Sequence, residues 1–268
     1  MSDPDTPQLP VAPCLAPGPG EDLCRLSGDW RIFQLLRGHR WSLDDLVTAW
    51  VAASSLPDPR RVLDLGTGIG SVLLLLAWRF APARCVGLEA QEVSVGLARR
   101  SILYNLGPDQ DRCSVAIGDL RDPGALGGAD PFDLISATPP YLSVGAAVES
   151  AKPQCGPCRI EHRGGLEDYV AAAERWLAPG GRFVTCAAAR QASRLRDAAA
   201  AAGLDVLSWL EVVGREGKQP LLAVFTLARG GCWWPDAPSR LIVRDIRGQW
   251  TDAFLGVRRA MGLDAPGR

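Results

Sequence analysis

The chain has 268 residues, of which 47% are hydrophobic and 22% charged, with a formal net charge of -1 at pH 7. That length can bury a full core and suits a single α/β domain with additions. Bulk basicity of the kind that announces a nucleic-acid binder is excluded, and no apolar run approaches the roughly 20 residues that span a bilayer. The eight cysteines are scattered, which predicts reduced, buried thiols.

Residues 1–27 carry prolines at 4, 7, 10, 13, 17 and 19 and almost no apolar periodicity, so a disordered tail that buries little is predicted there. One domain is expected over 28–265. From Trp30 to Trp41 the pattern W-R-I-F-Q-L-L-R-G-H-R-W predicts a hairpin turning at Gly38, with His39 as a surface residue of the turn. Ser42 then caps a helix through Trp50.

The stretch Arg61 to Gly70, R-V-L-D-L-G-T-G-I-G, reads as a buried strand entering a glycine loop. Val62, Leu63 and Leu65 form the apolar run of a central parallel strand. Gly66, Gly68 and Gly70 let the backbone turn tightly and approach a ligand, and the leucine-rich helix Val72 to Trp78 follows. A dinucleotide fingerprint would place its third glycine at position 71, where Ser71 stands. The observed order instead sets Asp64 at the carboxyl end of the strand, where it can receive a cationic amino group. S-adenosylmethionine carries one.

The next strand, Cys85 to Leu88, ends in Glu89, an acid placed to accept both hydroxyls of a ribose. A helix from about Gln91 to Leu106 has Val93, Leu97 and Ile102 on one side. The strand Cys113 to Ile117 runs into Gly118-Asp119-Leu120, where Asp119 can bond the exocyclic amine of an adenine and Leu120 supplies an apolar contact. Phe132 to Ala137 then delivers Thr138-Pro139-Pro140-Tyr141 to the same edge of the sheet, the edge at which open α/β sheets bind ligands.

A long loop, about Leu142 to Gly165, contains Lys152, Arg159, His162 and Arg163, and also Cys155-Gly-Pro-Cys158. This pair has dithiol spacing but lacks the strand-to-helix setting of a redox site and any partner for zinc. Helix Leu166 to Leu177, strand Arg182 to Ala187 and an alanine-rich helix to Ala202 follow. Strands Val206 to Val213 and Leu221 to Leu227 join through Gly214 to Gly217, and the strand Leu241 to Val243 and the helix Thr251 to Met261 end the fold.

Together, D-L-G-T-G-I-G, Glu89, Asp119 and T-P-P-Y resemble the class I S-adenosylmethionine-dependent methyltransferases, in the group with N-P-P-Y or a variant after the fourth strand. R-W-S-L-D-D-L-V-T-A-W, R-G-G-L-E-D-Y and S-R-L-I-V-R-D extend the resemblance, over roughly residues 30 to 262, toward the tRNA adenine-N6 methyltransferase family. The resemblance implies a Rossmann-like α/β fold with a seven-stranded, mostly parallel sheet. It further implies cofactor binding by Asp44, Asp64, Gly66, Thr67, Gly68, Gly70, Glu89, Asp119 and Leu120.

Thr138, Pro139, Pro140 and Tyr141 are then the catalytic motif. The first motif residue and the Pro139 carbonyl hold the target amine while Tyr141 stacks on the base. Thr138 stands where the family has asparagine, and a hydroxyl accepts one hydrogen bond without reproducing an amide's pair. The implied partner is tRNA or another RNA, with the chain a cytoplasmic monomer without metal. Lys152, Arg159, Arg163, Arg37, Arg40, Arg244 and Arg247 are expected to form a cationic rim. Competing readings are a protein glutamine-amide methyltransferase, another RNA base methyltransferase, an idle RNA-binding module and an NAD oxidoreductase.

Overall fold

A computed structural model describes residues 15–140, 164–230 and 233–263. In chain order the strands are β1 (Glu21–Ser27), β2 (Trp30–Leu35), β3 (Arg61–Leu65), β4 (Arg84–Glu89), β5 (Cys113–Ile117), β6 (Phe132–Ala137), β7 (Leu177–Ala188), β8 (Leu204–Val213), β9 (Leu222–Arg229) and β10 (Ser239–Ile242). The helices are α1 (Leu43–Ser55), α2 (Ser71–Arg79), α3 (Glu92–Leu106), α4 (Leu166–Trp176), α5 (Ala192–Ala201) and α6 (Asp252–Ala260). Eight strands form one sheet in the order β10-β8-β9-β7-β6-β3-β4-β5, and β1 pairs with β2 in a separate hairpin.

Within the large sheet only β9 runs against its neighbours. The carboxyl ends of all the other strands therefore meet at one edge. Both faces of the sheet are covered, which is why β3 is buried at every position after Arg61 rather than at alternate ones. Val62, Leu134 and Val184 pack under α1, α2, α3 and α6. Their strand neighbours Leu63, Ile135 and Phe183 pack under α4 and α5.

The sheet has eight strands where seven were expected, because β10 adds in parallel to β8, from Ser239↔Leu210 to Ile242↔Val213. Its pairing satisfies the backbone groups that β8 would otherwise present as an open edge. The predicted tail also ends earlier than residue 27, since Glu21–Ser27 is a strand. The prolines stop at Pro19, and Leu26 beyond them is fully buried. Ser27 Oγ donates to the Met261 carbonyl at 2.6 Å, and Gly28 N–H donates to Gly262 O at 2.9 Å.

The hairpin consequently turns at Gly28, whose φ is +51°, and not at Gly38. Its second strand is fastened to α3. Ser101 Oγ accepts from Phe33 N–H at 2.9 Å, and Asn105 bridges both backbone groups of Arg31 at 2.7 Å. These contacts turn the buried face of α3 toward Ser94, Leu97, Ser101 and Ile102, and leave Val93 60% exposed. Cys24, Cys85, Cys113 and Cys186 form no disulfide among the described residues. Burial pushes the Cys85 thiol up to about 12 and also raises Cys113. Cys14, Tyr141, Lys152, Cys155, Cys158, Arg159, His162, Arg163 and Cys232 lie outside the described residues.

The hairpin is thus part of the cooperative core, and Leu26→Ala should cost about 2–5 kcal/mol in urea unfolding. Deleting residues 1–27 should lower the thermal midpoint substantially. A deletion variant that melts with the parent would show that the hairpin contributes nothing to the fold.

Candidate active site

The glycine loop leaves β3 through three positive φ angles, +62° at Gly66, +56° at Gly68 and +87° at Gly70. An L side chain adopts these only under strain. At Gly66 a Cβ would also overlap the Tyr169 hydroxyl, so the loop needs glycine for packing as well as for conformation. Gly87 on the next strand plays the reciprocal part, since a Cβ there would meet the Thr67 methyl at 2.7 Å.

Polar contacts fix the loop. Thr67 N–H donates to Leu88 O at 3.1 Å and Gly68 N–H to Glu89 Oε2 at 2.9 Å. The other Glu89 oxygen accepts from Gln91 N–H at 2.7 Å. Glu89 is therefore a latch between the loop and the end of β4, and each of its oxygens keeps a lone pair for a ligand hydroxyl.

Around this loop opens a cleft of about 830 Å³ of empty space at the carboxyl edge of the sheet. Of the predicted residues, Asp44, Gly66, Thr67, Gly68, Glu89, Asp119, Leu120, Thr138, Pro139 and Pro140 line it together. Asp64 and Gly70 do not. Gly70 caps α2 and lies against Ala98. Asp64 is 2% exposed, and its two oxygens accept from Thr67 Oγ1 and Ser136 Oγ, each at 2.6 Å. It anchors the loop to β6. Asp119 is held by Arg121 through Nε at 2.9 Å and a second nitrogen at 2.6 Å. An exposed pair of this kind is worth little and can open to a ligand.

His39, Asp45, Ser71, Gln91 and Tyr169 line the cleft without having been singled out as ligands. Two of them had a signal. Asp45 follows Ser42 by three residues, and its carboxylate accepts the Ser42 N–H at 2.9 Å, a helix-start pattern. Tyr169 closes R-G-G-L-E-D-Y, a stretch that carries the family resemblance. His39, expected at the surface, stands at the cleft instead.

The lining carries four acids, Asp44, Asp45, Glu89 and Asp119, and among the described residues no lysine or arginine. Burial, and then the charge of Asp44, raises Asp45 well above the usual carboxylate range. Burial likewise lifts Asp64 to about 6, against the lowering effect of the Ser136 and Thr67 hydroxyls. Such a wall suits a ligand with positive charge and a ribose, as S-adenosylmethionine has in its sulfonium, ammonium and nucleoside. A dinucleotide's phosphates would face acids with no compensating cation among the described residues. Asp44, Asp45, Glu89, Asp119 and Leu120 all face this space.

Both raised acids favour the protonated form when no ligand is bound, so ligand-free stability should fall as pH rises above about 4, for Asp64 through about 6. A cationic ligand favours the ionised form. Affinity for S-adenosylmethionine should therefore rise between about pH 5 and 7, with proton release seen in calorimetry as a heat that depends on the buffer. A pH-independent affinity would remove this electrostatic account. Glu89→Ala should weaken binding at least about tenfold, through loss of both the latch and the ribose acceptor.

No family model matches the chain. Among curated proteins it is 34% identical over 143 residues to a tRNA1(Val) (adenine(37)-N6)-methyltransferase of Porphyromonas gingivalis, a match covering 52% of this chain and 54% of that protein. The chain thus spans about half the length of that relative. To the protein of the same name from Aeromonas hydrophila it is 30% identical over 217 residues, covering 78% of this chain and 84% of the relative. A release factor glutamine methyltransferase of Mycobacterium leprae is 32% identical over 149 residues, or 52% of this chain and 50% of that one. A predicted O-methyltransferase from Agrobacterium tumefaciens has the same fold, with TM-score 0.58 at 16% identity, covering 84% of this chain and all of the other. The chain belongs to the class I S-adenosylmethionine-dependent methyltransferases, in the family of the tRNA1(Val) (adenine(37)-N6)-methyltransferases.

Proposed function

We propose that this protein transfers a methyl group from S-adenosylmethionine to N6 of an adenine in tRNA, beside the anticodon. One observation carries the reading. Thr138, Pro139 and Pro140 wall the same cleft as the acid-rich cofactor loop, so an amine held by that motif lies against the methyl donor. The names of the relatives support the substrate.

The cofactor supplies an electrophilic methyl on a sulfonium. The chain's own contribution is positional, and alignment of two reactants in one site is worth about 7 to 11 kcal/mol. The Pro139 carbonyl accepts one N–H of the adenine amine and the Thr138 hydroxyl the other, which turns the nitrogen lone pair toward the methyl group. Tyr141 directly follows this wall in sequence and is assigned the stacking role, worth about 1 to 3 kcal/mol. Thr138 is fixed by what precedes it, because Ser136 two residues earlier is bonded to buried Asp64 at 2.6 Å.

A second reading has its own support. The M. leprae relative's name specifies a glutamine, whose planar amide presents the same –NH2 to the motif. Incubation of the protein with labelled S-adenosylmethionine, bulk tRNA and release-factor peptides separates the two. N6-methyladenosine in digested tRNA is the expected product, and label confined to peptide glutamine would transfer the assignment to protein. Thr138→Ala should lower kcat/KM about tenfold, the loss of one hydrogen bond. Thr138→Asn should retain or raise adenine methylation. Complete loss in Thr138→Asn would mean that the hydroxyl serves a different nucleophile.

A further inference from the structure

The carboxyl edge of the sheet holds more than the cleft. β7, β8 and β10 end at that edge, and their following loops carry Arg190, Arg215, Lys218, Arg244 and Arg247, all exposed. In the order β10-β8-β9-β7-β6, β7 is one strand from the Thr138 wall, β8 three and β10 four. At about 4.8 Å per strand, the cations lie roughly 5, 14 and 19 Å along the edge from β6. They form a row leading away from the active site.

Two of these loops are built against each other. Glu216 N–H donates to Arg244 O at 2.8 Å, Ile246 N–H donates to the Glu216 carboxylate at 3.3 Å, and Arg215 donates to Ile246 O. Within the second loop Asp245 accepts from Gln249 N–H at 2.8 Å, while Arg244 bonds Gly248 O at 2.8 Å and lies over Trp250. The two acids of the ledge, Glu216 and Asp245, thus serve backbone N–H groups of the loops. None of the five cations is in an ion pair among the described residues. Five cations against two acids leave a net +3 on a braced surface beside a cleft whose lining is acidic.

The expected rim is thereby recomposed. Arg40 is paired with Asp22 at 2.9 Å and leaves it, whereas Arg190, Arg215 and Lys218 join Arg244 and Arg247. We propose that this ledge is a docking track for the phosphates of the RNA that presents its base to the cleft. Its outer part, Arg244 and Arg247, follows β10, the strand at that edge of the sheet. The proposal rests on the RNA reading above and adds the surface on which the RNA lies. Acid in the cleft and cation on the ledge sort the two charges of the reaction complex, cofactor to one and polynucleotide to the other.

Arg190, Lys218 and Arg247 make no side-chain bonds among the described residues, so their triple replacement Arg190→Ala, Lys218→Ala, Arg247→Ala removes charge without removing structure. The full chain is compared with this variant and with a control that loses Arg60 and Arg84, two exposed cations at the opposite end of the strands. Binding to unmodified tRNA is titrated between about 50 and 200 mM salt. Each lost phosphate contact lowers the log–log salt slope by about 0.7 to 0.9, so the triple variant should lose about 2 units of slope and at least tenfold in affinity at the lower salt. KM for tRNA should rise to match, while the control keeps the parent slope and all three bind S-adenosylmethionine equally. A parent that methylates tRNA alongside a triple variant with unchanged slope and KM overturns the ledge and leaves the RNA reading standing. A parent that binds no tRNA even at low salt overturns both.

Discussion

The site depends on the buried carboxylate of Asp64. Its two oxygens accept the Thr67 and Ser136 hydroxyls at 2.6 Å each, and the residue is almost wholly excluded from solvent. Thr67 belongs to the glycine loop that lines the cleft, and Ser136 precedes Thr138 by two residues. One side chain thus ties the loop proposed to hold the methyl donor to the wall proposed to hold its acceptor. In a displacement reaction the relative position of those two groups is most of what a protein supplies.

The rest of the loop is fixed in the same manner, by groups that do more than one thing. Glu89 binds the N–H groups of Gly68 and Gln91 and retains acceptor capacity for a ribose. Gly66 and Gly87 make room for Tyr169 and Thr67 respectively. Burying several acids near one another is costly, and the raised Asp45 and Asp64 reflect that cost. A cationic cofactor offsets it, which couples binding to the protonation of the site.

Charge is distributed unevenly over a chain whose formal total is -1. The cleft gathers acids, and the loops after β7, β8 and β10 gather arginine and lysine. Composition averages these two regions to nothing. What places them side by side is the parallel course of the strands, which sends residues from distant parts of the sequence to one edge.

Much of the molecule was legible in the sequence. The glycine loop, Glu89, Asp119 and T-P-P-Y each follow a short apolar strand, and the pattern strand, loop, helix, strand brings such positions to the carboxyl edge whatever the details of packing. Local chemistry determined that much, including the left-handed backbone at Gly66, Gly68 and Gly70. It did not determine which acid faces the ligand, since Asp64 reads as a contact until Ser136, 72 residues away, is seen to take one of its oxygens. Nor did it show that residues 21–27 leave the tail to pair with β2, that β10 extends the sheet, or that Arg40 turns to Asp22 while Arg190 and Lys218 make no side-chain bond among the described residues. These outcomes depend on partners far apart in sequence, whose hydrogen bonds and buried surfaces exist only once the chain has closed. Periodicity records where a residue sits along its own element, and the tertiary fold alone decides what stands opposite it.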